Sequence, residues 1–150
     1  MENYAVNKRA SFDYELQDKL EGGLVLAGYE VKAIKTGHLG LKGAFLAIHN
    51  GELYLTNAHI PAYQKANVPQ NYDEYRSRKV LVHKRELSSL IGKTKQKGLT
   101  LVPIRVYSSH RLIKLEFAVG KGKRLVDKRE DIKKREANVT MRRALRGDKS

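Results

Sequence analysis

Hydrophobic positions change period along this chain, and each change marks an element. Between Arg111 and Val119, Ile113, Leu115, Phe117 and Val119 fall on one face while Lys114, Glu116 and Ala118 fall on the other, the two-residue period of a half-buried strand. Leu99–Tyr107 is the apolar run before it, so the pair predicts a hairpin across Ser108-Ser109. Pro103 places an edge or a bulge in the first strand, because proline lacks the N–H that a ladder needs. A second hairpin is predicted where Phe45–Ile48 and Leu53–Ala58 flank Asn50-Gly51, the residue pair best suited to a tight turn with positive φ. Shorter strand segments are expected at Ser11–Leu16 and Leu24–Leu26, around a break at Glu21-Gly22-Gly23, and at Lys79–Val82. The period shifts to that of a helix twice. Gly28–Lys35 carries Val31 and Ile34 at helical spacing with Gly37 as a stop, and Lys84–Lys97 aligns Leu87, Leu90, Ile91 and Thr94 ahead of Gly98. Pro61–Tyr75, polar with two prolines and three tyrosines, reads as a long loop.

Many short strands joined by hairpins, with few helices, predict a mainly β fold. An OB-like antiparallel β-barrel with accessory helices fits this order, and so does a ribosomal-protein-like α+β sandwich. The chain divides into two parts, a barrel over residues 1–120 and a basic C-terminal tail over residues 121–150.

Charge sharpens that division. The tail holds twelve Lys or Arg against five Asp or Glu, a balance of +7 and half of the chain's net +14, with no aromatic residue. Glu130/Lys134 and Asp131/Arg135 are i,i+4 acid-to-base pairs, and acids precede bases along the segment, as the helix dipole favours. Ala137, Met141, Ala144 and Leu145 form a thin apolar stripe. The tail is expected to be disordered when free and helical when a polyanion neutralises it; a solvated, solubilising tail is the plainer reading.

Composition narrows the chemistry. There is no cysteine, which removes thiol catalysis, disulfides and Cys-based zinc sites. The five histidines lack the i,i+4 spacing of a helical metal site, so no metal and no cofactor is expected. Gly22–Tyr29, the longest uncharged apolar stretch, is too short to span a membrane, and Met1–Asn7 lacks the apolar region of a signal peptide, which points to the cytoplasm. Gly92-Lys93-Thr94 resembles the end of a P-loop, but Leu87 stands where that motif needs glycine. The acids Glu21, Glu30, Glu52, Asp73, Glu74, Glu86 and Glu116 form no general acid–base pair, so no catalytic residue is expected. A basic chain of this kind points to nucleic acid. Two patches stand out, Asn7-Lys8-Arg9 and the group Arg76, Arg78, Lys79, Lys84 and Arg85, with Tyr14, Tyr63, Tyr72 and Tyr75 available to stack on unpaired bases. Gly120-Lys121-Gly122-Lys123-Arg124 reads as a flexible basic linker.

Several blocks in register resemble one family. Asn7-Lys8-Arg9-Ala10, Asp13-Tyr14, Leu20-Glu21-Gly22-Gly23 and Gly28-Tyr29-Glu30-Val31-Lys32 are similar to the opening of the SsrA-binding protein (SmpB) family. Arg76–Leu87, Gly98–Pro103, Gly120–Arg124 and Asp127–Lys133 continue the match, which runs from about Asn7 to Leu145. The resemblance implies an OB-type barrel that binds the tRNA-like domain of transfer-messenger RNA and is not an enzyme. It implies a monomer that acts in trans-translation, delivering that RNA with elongation factor Tu to stalled ribosomes so that incomplete proteins are tagged for degradation. The tail is implied to enter the vacant messenger channel beside the 16S rRNA of the decoding centre. Residue by residue, it assigns RNA binding to Asn7, Glu21 and Leu81, and ribosome binding to Gly122, Lys123, Arg124, Asp127, Lys128 and Arg129. Lys133, Lys134, Arg135, Met141, Arg142, Arg143 and Leu145 complete the expected tail contacts. Some members carry an aromatic where this chain has Ala137, which leaves the tail to electrostatics, Met141 and Leu145.

Overall fold

The computed structural model describes residues 2–64, 66 and 68–123. These form a mainly antiparallel sheet with three helices, in the order β1 (Glu2–Val6), α1 (Ala10–Asp13), β2 (Tyr14–Leu24), α2 (Gly28–Lys35), β3 (Phe45–His49), β4 (Glu52–Thr56), β5 (Arg78–Leu81), α3 (Lys84–Thr94), β6 (Leu99–Ser109) and β7 (Leu112–Gly122). Strand β6 pairs with β1, β3 and β7, and the order β3-β4-β5-β2-β7 leads back to it, so the pairings close into a circuit with β1 appended. The inward face follows the alternation of β7: Ile113, Leu115, Phe117 and Val119 are buried against Leu53, Leu55, Val80, Leu101 and Val106. Ile34 of α2 and Leu90 of α3 join the same core. Leu115 and Phe117, fully enclosed, each contribute about 1.5–3 kcal/mol by leaving water.

Local chemistry explains the helix ends. In α2 the Glu30 carboxylate accepts the Ala27 N–H (2.9 Å), which satisfies a donor that the first turn leaves free. Gly37, at φ +84°, ends α2: its N–H bonds Ile34 O and the His38 N–H bonds Ala33 O, a Schellman closure. In α3 Glu86 accepts the His83 N–H (3.1 Å), and the Gly92-Lys93-Thr94 tripeptide lies inside this helix rather than on a phosphate loop.

Five expectations need correction. Residues Ser11–Asp13 are helical, within α1, where Phe12 and Asp13 donate to Arg9 O. Glu21-Gly22-Gly23 is not a break but part of β2, near its C-terminal end, and the irregularity of this strand lies instead at Asp18: a Cβ on Gly22 would lie 2.5 Å from Val80 Cγ1, so glycine there lets β5 approach. The hairpin of β6 and β7 turns at His110-Arg111, both at positive φ, while Ser108 and Ser109 stay in the strand. Helix α3 stops at Thr94, short of Lys97. Gly120-Lys121-Gly122 is strand and not linker, with Gly120 packed so closely on Tyr14 that a Cβ would stand 3.1 Å from the tyrosine Cβ. The Asn50-Gly51 turn, the helix over Gly28–Lys35 and a bulge beside Pro103 are present as expected.

Candidate nucleic-acid interface

The basic group that brackets β5 is divided by the strand's phase. Arg78 and Val80 point inward, Leu81 outward. Arg78 is fully buried: Nε donates to Glu30 Oε2 (2.8 Å), one terminal nitrogen to Ala58 O (2.7 Å), and the other to the Tyr72 hydroxyl (2.9 Å) and Glu74 O (3.1 Å). With four of its five N–H donors engaged and no solvent contact, Arg78 is unavailable to phosphate, which corrects its assignment to an RNA surface. Arg76 donates to the other oxygen of Glu30. Burial alone would push the Glu30 carboxyl up, but the Ala27 N–H and the two guanidiniums outweigh it and hold the carboxyl below its ordinary value. The Tyr72 hydroxyl, enclosed beside them, is pushed up to about 12, chiefly by desolvation. This knot ties α2, β5 and the loop after Ile60 together, and it was invisible in a sequence that showed Glu30 only as an isolated acid.

Among the remaining cations, Lys79 Nζ is held by Glu52 (3.0 Å), whose carboxyl the lysine, Tyr54 and the local charge keep low. Lys84 and Arg85 are exposed on the first turn of α3 and form no ion pair among the described residues. Tyr75 is half exposed and stacks on His59 (4.7 Å between centroids).

Glu21 and Leu81, sixty residues apart in sequence, are brought to one groove by the β2–β5 ladder, where Gly23 pairs with Leu81. They border a groove of about 350 Å³ completed by Val82, His83, Glu86 and Lys114. Leu81 is 54% exposed, an apolar side chain presented to solvent. Glu21 is bound by Lys114 Nζ (2.7 Å) and by the Tyr107 hydroxyl. Lys114 and Tyr107 were missed as site residues. Lys114 was legible as an outward position of β7, whereas nothing in the sequence aims Tyr107 at Glu21.

The first basic patch lies elsewhere. Along β2, the seven steps from Tyr14 to Glu21 span about 23 Å at the usual rise per residue. Asn7, Lys8, Arg9 and Tyr14 line a cleft of about 770 Å³ together with Lys42, Phe45 and Val102. Asn7 is engaged by the fold: its amide donates to Pro103 O (2.9 Å), its N–H to Ile104 O (2.7 Å), and its Oδ1 accepts the Arg9 N–H. It sets the turn from β1 into α1. Arg9 pairs with Asp13 (3.1 Å) and covers the Phe12 ring, while Lys8 and Lys42 are exposed. Phe45, 46% exposed at the head of β3, adds an aromatic face that its out-of-phase position beside Leu46 could have signalled.

Gly122 ends β7, and the Lys123 N–H donates to Asp13 O (2.9 Å) at the rim of this cleft. Arg124, Asp127, Lys128, Arg129, Lys133, Lys134, Arg135, Met141, Arg142, Arg143 and Leu145 lie outside the described residues. No helix among the described residues is long and apolar enough to cross a membrane.

Comparison with known proteins covers both surfaces. The family model described as SmpB protein matches residues 4–147. An SsrA-binding protein of Anoxybacillus flavithermus is 47% identical over 142 residues, 95% of this chain and 92% of that protein. One of Caldicellulosiruptor bescii is 44% identical, over 95% of this chain and 89% of its own. A chain of the solved structure described as "tmRNA-SmpB: a journey to the center of the bacterial ribosome" superposes with a TM-score of 0.66 at 41% identity, covering 85% of this chain and 93% of that one. A match that opens before Asn7, passes through Glu21 and Leu81 and closes in the basic tail leaves one assignment: the chain belongs to the SmpB family.

Proposed function

We propose that this protein is the RNA-binding adaptor of trans-translation. It binds the tRNA-like domain of transfer-messenger RNA and brings it, with elongation factor Tu, to stalled ribosomes, where incomplete proteins become tagged for degradation. The observation that carries this reading is the family match over residues 4–147, joined to 41% identity with a chain of a tmRNA-SmpB ribosome structure. The closed circuit of strand pairings supports an OB-type barrel as the RNA-holding body. The family membership supports the reading of that body as a cytoplasmic, monomeric adaptor without catalysis of its own. The body would hold RNA through the Glu21–Leu81 groove and the Asn7–Tyr14 cleft. The tail, with half of the chain's net charge, would enter the messenger channel beside the 16S rRNA.

The test separates body from tail. Because β7 runs through Gly122 and Lys123 is tied to Asp13, the cut belongs after Lys123 rather than at Gly120. A chain ending at Lys123 is expected to fold and bind the tRNA-like domain but to fail in peptide tagging on stalled ribosomes. Loss of RNA binding by a folded truncated chain would overturn the two-part reading. A structural ribosomal protein would instead co-purify with whole ribosomes and show no preference for transfer-messenger RNA, and an RNA-processing enzyme would turn its RNA over. Sequencing the co-purified RNA separates the adaptor from the ribosomal protein, and an assay for RNA turnover separates both from the enzyme.

A further inference from the structure

The Glu21 groove holds two carboxylates, Glu21 and Glu86, against one ammonium, Lys114. Phosphate sites are built from Arg, Lys and N–H donors, so this groove is built for a different part of an RNA. Glu86 already accepts the His83 N–H, whereas Glu21 is held from behind. Tyr107, 1% exposed, donates its hydroxyl to Oε2, and Lys114 donates to Oε1. The Tyr107 ring is fixed in turn by the Arg105 guanidinium, 4.2 Å above its centroid, and Arg105 is fixed by Asn3 (2.7 Å) and Glu116 (3.5 Å). A carboxylate has about four lone-pair sites. One is engaged on each oxygen, so each oxygen keeps acceptor capacity, on a side chain 47% exposed at the groove.

Two acceptors side by side on one planar group match two donors side by side. Guanine alone among the RNA bases presents such a pair on its Watson–Crick edge, N1–H next to the N2 amino group; adenine and uracil alternate donors with acceptors, and cytosine sets one donor beside two acceptors. Leu81, exposed beside Glu21, supplies an apolar surface for a base face, and single-stranded RNA offers its bases in this unpaired form. About 350 Å³ suits one nucleobase.

We propose that this groove reads one unpaired guanine through Glu21, with Tyr107 and Lys114 as positioning residues. The proposal rests on the RNA-binding reading above. Tyr107 fixes the direction of the carboxylate, and Lys114 offsets its charge so that neighbouring phosphates are not repelled.

The experiment uses the full chain and transcripts of the tRNA-like domain in which inosine phosphorothioate replaces guanosine at random, followed by iodine cleavage of bound and unbound RNA. Inosine lacks the N2 amino group. With the native protein, inosine at an unpaired guanosine is expected to be depleted from the bound fraction. Glu21→Gln is expected to weaken binding about tenfold and to erase that depletion, as loss of one bidentate base contact implies. Tyr107→Phe, which keeps the ring and its stack on Arg105, is expected to reduce the depletion, and Glu21→Gln/Tyr107→Phe to bind no more weakly than Glu21→Gln. An inosine pattern shared by native protein and Glu21→Gln would overturn guanine recognition while leaving the RNA reading intact. Equal affinity of the two would instead remove Glu21 from the RNA surface. An undiminished depletion in Tyr107→Phe would end its positioning role.

Discussion

Glu30→Gln is the most informative single change to the body. It keeps size and shape and retains an oxygen for the Ala27 N–H, but it removes the negative charge that faces two guanidiniums. Arg78 is fully buried, so it would be left as an uncompensated cation in the interior. Removing one partner of a buried pair costs about 3–5 kcal/mol. Arg78 keeps its bonds to Ala58 O, Glu74 O and Tyr72, and Arg76 keeps partial access to water, which places the cost near the lower end, about 3 kcal/mol. For a body of this size that corresponds to a fall in Tm of about 10 °C. Urea denaturation at neutral pH measures it directly. The sign of the pH dependence follows from the lowered carboxyl. The stabilisation is complete above the ordinary value of 4.5 and is lost as pH falls through the lower folded value, so the gap between native protein and variant should close in acid. Adding Arg78→Met to Glu30→Gln should cost less than the sum of the two single changes. A loss below about 1 kcal/mol at neutral pH, or strict additivity in the double variant, would refute the argument that this pair locks the fold.

Three further outcomes are expected. Gly22→Ala forces a methyl within 2.5 Å of Val80 Cγ1 and should cost about 1–3 kcal/mol by denaturant melts, whereas Gly23→Ala, whose nearest neighbour is 3.9 Å away, should be tolerated; equal effects would contradict the close approach of β5. Replacing His110-Arg111 by Asn-Gly should raise stability by about 1 kcal/mol, because both positions have positive φ; a lower Tm would show that the side chains there matter more than the backbone. Lys84→Ala and Arg85→Ala should each reduce the log–log salt slope of RNA binding by about 0.7–0.9 if each contacts a phosphate, and an unchanged slope would remove α3's first turn from the interface.

The elements that could be read from sequence were those whose cause is local. Asn50-Gly51 carries its own turn, Gly37 its own helix stop, and β7 its own alternation. Those that escaped depend on partners distant in sequence. Strand β1, ENYAV, has no pattern of its own and exists because it pairs with β6 about a hundred residues later. The glycines of β2 resemble a break until Val80 is seen lying against Gly22. His110-Arg111 was passed over because neither residue is a usual choice for positive φ. Arg78 misled for a related reason: in RKVL the charged residue shares its face with Val80, and the leucine points out. The family resemblance supplied Glu21 and Leu81, which no periodicity would have joined, but only the fold shows Tyr107 and Lys114 behind Glu21.

Strand β7 is flanked along its length, by β2 from Tyr14–Gly122 to Gly23–Lys114 and by β6 from Leu99–Lys121 to Ser109–Leu112. The ladder bonds run across the strands, so a pull on the chain beyond Lys123 loads both ladders in shear, with the bonds resisting together rather than opening one at a time like a zipper. The Lys123–Asp13 bond sets where that force enters. Tension on the tail is therefore transmitted to the whole body as a rigid displacement, and whatever the body grips travels with it.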